Sequence, residues 1–261
     1  MIVMDSILQK IVDNKRREVE ACRRAGVYDR LVIQGRTPLS FRQALIDSPT
    51  GIIAEFKRRS PSKGEINQTA DVATVVNGYS VNGAACCSIL TDTPFFGGAL
   101  TDLAVARMTV PDTPLIRKEF IVDGDQIREA AAVGADAVLL IASVLDAREM
   151  AEFTAIAHDL GLEVLCELHN IGELDKLPAD ADMVGINNRN LATFDTDIAR
   201  SSQIAAMLPS AMVKVAESGI RSMEEVTRLR REGYTGFLIG ETFMRHSQPA
   251  EALKKFVNEK L

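Results

Sequence analysis

The chain has 261 residues, with 36 acidic side chains against 30 Lys and Arg and a formal net charge of -6 at pH 7. That balance has the wrong sign for nucleic acid or an anionic membrane as the main partner, so any anionic ligand must be captured by a local arrangement. Hydrophobic residues make up 46% of the chain but aromatics only 5%, with no Trp, which calls for an aliphatic core such as helices packed on parallel strands provide.

The opening segment carries an acid at Asp5 and no apolar stretch of signal-peptide length, and no run of about 18 apolar residues follows it. A cytoplasmic protein that spans no membrane is therefore expected. Residues 1–51 read as a helical extension. Ser6 with Gln9 has the form of a capping box, and Ile7, Leu8, Ile11, Val12, Val19 and Cys22 recur at helical spacing. The charges from Lys15 to Arg24 are interleaved with Glu18 and Glu20, which predicts a solvated helix face. A second box, Ser40 with Gln43, starts a shorter helix through Phe41, Ala44 and Leu45. Cys22, Cys86, Cys87 and Cys166 lack metal or disulfide spacing and are expected to be reduced thiols.

Ile52 to Gly64 is the pivotal stretch: a run of strand formers closed by a Ser-Pro-Ser-Lys-Gly turn. Strand alternation puts Ile53, Glu55 and Lys57 on one face and Ile52, Ala54 and Phe56 on the other, so two charges point the same way from an apolar strand. An ion pair on a solvent-facing edge strand is the alternative. From here a unit repeats, an amphipathic helix, then Gly, then a short apolar strand, with glycines 83, 134, 161 and 233 each where a helix end needs positive φ. Eight strand starts near 52, 86, 114, 136, 163, 183, 213 and 236 predict a single-domain (β/α)8 TIM barrel over 1–261, with 1–51 as the extension and 52–261 as the barrel. A doubly wound open sheet is the alternative, but no G-x-G-x-x-G follows the first strand.

In such a barrel chemistry sits at the C-terminal ends of the strands. The polar residues placed there are Glu55 and Lys57, Lys118, Glu167, Asn187 and Glu217, from five strands aimed at one mouth. Two Lys and three Glu converging in this way have no packing explanation. Lys118, near a second ammonium at Lys57, is expected to have a depressed pKa. The last two loops, Glu217-Ser218-Gly219-Ile220 and Ile239-Gly240-Glu241-Thr242, have the position and glycines of a phosphate site, and Arg189 offers a fork of donors to the same kind of anion. A phosphorylated small-molecule substrate is predicted. His169 also lies on the inward face, but a structural hydrogen bond is expected of it.

Together, Ile53-Ala-Glu-Phe-Lys57, Ser60-Pro-Ser-Lys-Gly64, Leu90-Thr-Asp92, Phe95-Phe-Gly-Gly98, Arg117-Lys-Glu-Phe120, Glu167-Leu-His169, Gly185-Ile-Asn-Asn-Arg189, Glu217-Ser-Gly-Ile220 and Ile239-Gly-Glu241 resemble the indole-3-glycerol phosphate synthase family. The resemblance implies a carboxy-lyase of tryptophan biosynthesis that closes the ring of 1-(2-carboxyphenylamino)-1-deoxyribulose 5-phosphate with loss of CO2 and water, using no cofactor and no metal. By the same resemblance Lys118 is the general acid of ring closure and Glu167 serves dehydration. Lys57 assists as acid or holds phosphate, while Glu55, Asn187 and Glu217 orient the anilino nitrogen and the hydroxyls. Ser60, Pro61, Phe96, Phe120 and Leu139 wall the anthranilate ring. Lys57, Arg189, Ser218, Gly219, Gly240 and the Glu241 backbone hold the phosphate. Glu119 stands where the family more often has Asp and is expected to point away from the mouth with little effect. Glu241 puts a carboxylate beside the phosphate site. The rivals are a sugar-phosphate isomerase of the phosphoribosylanthranilate isomerase type and a non-catalytic phosphate-binding scaffold. A monomer or weak homo-oligomer is expected, with mobility in the loop Arg58 to Gly64.

Overall fold

Eight parallel strands close on themselves in the computed structural model, which describes residues 7–33, 35–188 and 198–259. They are β1 (Ile52–Phe56), β2 (Cys86–Leu90), β3 (Leu115–Lys118), β4 (Ala137–Ile141), β5 (Glu163–Leu168), β6 (Met183–Asn187), β7 (Val213–Glu217) and β8 (Gly236–Ile239). Each pairs with its neighbours in sequence, and β1 pairs with both β2 and β8, so the sheet has no edge. The open-sheet alternative is thereby excluded, and so is an edge-strand position for Glu55 and Lys57.

The two faces of the strands separate two apolar layers. Ile53, Ile116, Leu139, Leu165, Val215 and Leu238 fill the barrel interior, while Ile52, Ala54 and Phe56 pack outward with the surrounding helices. This is the alternation read from the first strand, repeated around the ring. Glycines 83, 134, 161 and 233 follow helix ends with φ between 73° and 97°, which lets each chain turn directly into the next strand.

The extension plugs one end of the barrel and leans on the other. Helix α2 (Phe41–Asp47) begins at Ser40, whose hydroxyl oxygen accepts from the Gln43 amide at 3.0 Å and whose hydroxyl donates to Glu163 Oε1 at 2.6 Å. Gln43 does not complete the expected box, since its side chain donates to Asp47. Phe41 and Leu45 are fully buried against the bottom of the barrel interior. Helix α1 (Ile7–Arg24) buries Ile11, Val12 and Val19, with Ile7, Leu8 and Ile11 reaching the mouth. Arg24 and Glu20 pair on its outer face, as a solvated face requires. Lys15 departs from that expectation, because it is buried among acids. Ser6, the first half of the other expected box, lies outside the described residues. No described helix is long and apolar enough to cross a membrane.

Candidate active site

The mouth of the barrel is built by the last inward residue of successive strands, because parallel strands of matched register end at one level. β1 contributes Glu55 and, one step beyond its end, Lys57. β3 ends on Lys118, β5 carries Glu167, β6 ends on Asn187 and β7 on Glu217. All six border one cavity.

At its centre the Lys118 ammonium donates to Glu167 Oε2 and to Glu217 Oε2, each at 2.7 Å. Asn187 Nδ2 donates to Glu167 Oε1 at 3.0 Å, and His169 Nε2 lies 3.1 Å from that oxygen without the alignment of a hydrogen bond. Lys57 and Glu55 form a second pair at 2.6 Å, so the plain ion pair exists, but inside the barrel mouth and not on a free edge. Two glycines make room for this crowding. A Cβ at Gly185 would fall 2.2 Å from Glu217 Oε1, and one at Gly240 would fall 2.5 Å from Glu55 Oε1.

The expected depression of the Lys118 pKa is not what the geometry produces. Burial works to lower it, but the carboxylates of Glu167 and Glu217, with Glu55 behind them, outweigh burial and hold it well above the ordinary lysine value. The Lys57 charge that was to lower it is engaged by Glu55. The two carboxyls that share Lys118 are pushed apart. Burial and the neighbouring Glu167 charge push Glu217 up to about 8, only partly offset by Lys118. Glu167 is buried too, but Lys118 and His169 prevail over burial and hold it well below the usual carboxylate range. Burial likewise opposes the His169 imidazolium, and Glu167 more than compensates, so His169 titrates above its ordinary value. The mouth therefore sets an ammonium between one carboxyl held low and one pushed high, the separation that lets like groups take unlike roles.

Ser60, Pro61, Phe96, Phe120 and Leu139 border the same cavity, with the Phe96 and Phe120 ring centroids 5.8 Å apart. Ser60 belongs to a small antiparallel hairpin, Arg59–Ser60 against Gly64–Glu65, that carries the loop after β1 over the mouth. Arg58 ties its base to Asp102 and to the Gly97 carbonyl. On the opposite rim stand Ser218, Gly219, Gly240 and Glu241. Ser218 and Gly219 both take positive φ, 68° and 83°, and the amides of Gly219 and Gly240 have no acceptor among the described residues. Free backbone donors at the ends of β7 and β8 are what an anion site requires. The Glu241 carboxylate lies 3.7 Å from Lys63 of the hairpin. Arg189, with the Asn190-Leu191 segment after it, lies outside the described residues. Among the described residues no three His, Cys, Asp or Glu side chains are grouped to hold a metal ion.

Several lining residues carry no signal in the sequence. Ile7, Leu8 and Ile11 come from α1, and nothing local says which apolar stripe of a helix will border a cavity. Arg221 and Arg245 stand on the rim just past the two phosphate-type loops, where chain proximity was the available hint. Glu119 borders the cavity, but its carboxylate turns from the Lys118 cluster to Thr91 Oγ1 at 2.7 Å, the Phe120 amide at 2.8 Å and Lys15 at 3.2 Å, so at 3% exposure it is a buried anchor where little effect was expected.

The family model described as indole-3-glycerol phosphate synthase matches residues 8–256. The chain is similar to the indole-3-glycerol phosphate synthase of Bacteroides thetaiotaomicron, 49% identical over 97% of this chain and 98% of the relative, and to that of Salinibacter ruber, 43% identical over 96% and 94%. Among solved structures it resembles 3-hexulose-6-phosphate synthase from Salmonella typhimurium, with a TM-score of 0.62 at 16% identity over 79% of this chain and 96% of that one. Thiamine phosphate pyrophosphorylase from Pyrococcus furiosus gives 0.59 at 16% identity over 84% and 96%. At that identity the structures speak for the barrel alone, whereas the full-length sequence matches place the chain in the indole-3-glycerol phosphate synthase family.

Proposed function

We infer that this chain is an indole-3-glycerol phosphate synthase, a carboxy-lyase of tryptophan biosynthesis, and that the Lys118 cluster carries its reaction. The observation behind the second part is the Lys118 ammonium held at 2.7 Å from both Glu167 and Glu217, between an aromatic wall and an anion-type rim. In ring closure the carboxylate-bearing ring carbon attacks the ribulose carbonyl carbon, and Lys118 gives its proton to the carbonyl oxygen. Loss of CO2 sends the electrons of the broken bond back into the ring, restoring its aromaticity and neutralising the anilino nitrogen, and the one proton consumed overall is the one that Lys118 gives up and regains from solvent. The hydroxyl then leaves as water with a proton from Lys57, and Glu167 takes the proton whose departure completes the indole. The depressed Glu167 value keeps it ionised and so able to accept a proton, while the Glu217 carboxyl, whose proton is held more tightly, offers a hydrogen bond to the anilino nitrogen or a hydroxyl. Asn187 holds Glu167 in place, and Glu55 holds Lys57.

Phe96, Phe120, Leu139, Ser60 and Pro61 are assigned to the anthranilate ring. Lys57, the Ser218, Gly219 and Gly240 amides and the Glu241 backbone are assigned to the phosphate, with Arg189 as the further donor read from the sequence. The enzyme is placed in the cytoplasm, as a monomer or weak homo-oligomer, and equilibrium sedimentation tests the latter. The reaction is tested by following indole fluorescence on adding the carboxyphenylamino-deoxyribulose phosphate, beside Lys118→Ala. Product from the wild type and a fall of about 10² or more in the variant are expected. An undiminished variant overturns the assignment of the acid, and folded wild type without product overturns the reaction.

A further inference from the structure

The inward stripe of α1 runs through Leu8, Ile11, Lys15 and Val19, spaced so that they share one helix face. Lys15 is as buried as its apolar neighbours, 5% exposed against 3% for Ile11 and 5% for Val19. A buried ammonium persists only with partners, and three acids supply them: Glu18 at 2.7 Å, Asp92 Oδ2 at 3.2 Å and Glu119 Oε1 at 3.2 Å. Burial works to lower the Lys15 pKa, but these acids prevail and keep the group charged.

Both deeper acids hold the aromatic wall. Asp92 Oδ1 accepts from the Phe95 amide at 2.8 Å and the Asp92 carbonyl accepts from Gly98 N at 2.9 Å, which sets the turn bearing Phe96. Glu119 Oε1 accepts from the Phe120 amide, and the Phe120 carbonyl accepts from Gln126 Nε2 at 3.1 Å. Asp92 is fully buried and its Oδ2 has no hydrogen bond among the described residues, so its counter-charge is Lys15. The same helix sends Ile7, Leu8 and Ile11 to the cavity.

We propose that Lys15 is a positioning residue for the aromatic end of the substrate: by joining Asp92 to Glu119 it sets Phe96 against Phe120 and fastens the extension helix to the mouth. It touches no reacting atom, and its role rests on the reading that Phe96 and Phe120 wall the anthranilate ring. Lys15→Met leaves buried Asp92 without its counter-charge and Glu119 with Arg117 alone, at 3.7 Å, and the backbone they hold shifts by enough to spoil ring contacts while the far rim at Ser218 and Gly240 is untouched.

Two probes separate the ends of the site, anthranilate for the ring and inorganic phosphate for the rim. Because the chain has no Trp, anthranilate emission is read with little protein background. In folded Lys15→Met the anthranilate Kd is expected to rise about tenfold or more while the phosphate Kd stays within about twofold. Lys15→Met/Asp92→Asn keeps the cap acceptor and removes one stranded charge. It is expected to show the same selective loss at smaller size, and it decides the matter if the single variant does not fold. Folded variants that bind anthranilate as wild type does, or that lose both probes equally, overturn the role of Lys15. Wild type that binds phosphate but not anthranilate removes the wall reading instead, and the proposal with it.

Discussion

The two ends of the barrel treat buried carboxylates in opposite ways. At the bottom Asp136 is fully buried and fully answered: Arg36 at 2.7 Å, Arg107 at 3.0 Å, and the amides of Leu39 and Leu115 at 2.8 Å each. At the mouth Glu167 and Glu217 share one ammonium, and Glu217 Oε1 has no hydrogen bond among the described residues. A satisfied network fixes a structure, whereas an unsatisfied one holds charge ready for a partner that arrives later. The bottom ties the extension to the barrel, and the mouth keeps its proton-carrying groups unbalanced at a cost in stability.

Three substitutions sharpen this contrast. Lys118→Ala, at the mouth, is expected to lower kcat by about 10² or more while the protein stays folded, since Lys118 borders the open cavity, where water can reach the carboxyls it leaves. Asp136→Ala, at the bottom, leaves two guanidinium groups unpaired and is expected to cost about 3–5 kcal/mol in urea unfolding, with kcat of the folded protein unchanged. Should the effects be exchanged between the two variants, the distinction between the ends fails. Gly185→Ala is milder. It drives a methyl into Glu217 Oε1, and a fall in kcat/KM of about tenfold is expected, with the loss in kcat outweighing any change in KM.

The smallest effect is on pH dependence. Glu217 has its folded pKa raised to about 8 from an ordinary value of 4.5, so the folded state holds a proton there that the unfolded state gives up. Its contribution to stability is complete below about 4.5 and is lost as pH rises towards 8. Glu217→Gln, which carries no titrating proton, is expected to flatten that part of the stability profile and to remove an alkaline fall in kcat near pH 8. A profile identical to wild type in both respects excludes Glu217 as the raised group.

The barrel was legible because its signals are local. Alternation along Ile52–Phe56 orients Glu55, helix periodicity marks the crossovers, and a glycine after four of the helices shows where the chain turns into a strand. The set of mouth residues followed from the same alternation on five strands. What was not legible depends on distances between segments far apart in sequence. Lys57 is near Lys118 in the list of mouth residues, but its charge is spent on Glu55, while Lys118 faces two acids 49 and 99 residues away, and its pKa moves up and not down. Lys15 did have a signal. It sits four residues after Ile11 and four before Val19, on the apolar stripe, and a charge in that position asks for buried partners. Asp92 and Glu119, which answer it, come from the ends of β2 and β3, and only the closed barrel brings them under α1.

The most direct test of the unbalanced mouth is a carboxyl titration by carbon-13 NMR on protein labelled at Glu, wild type beside Glu217→Gln. One glutamate resonance in the wild type is expected to titrate near pH 8, assigned to the Glu167–Glu217 pair and missing from the variant. If every glutamate of the wild type titrates in the ordinary carboxylate range, the mouth holds no such proton, and the division of labour between Glu167 and Glu217 is contradicted.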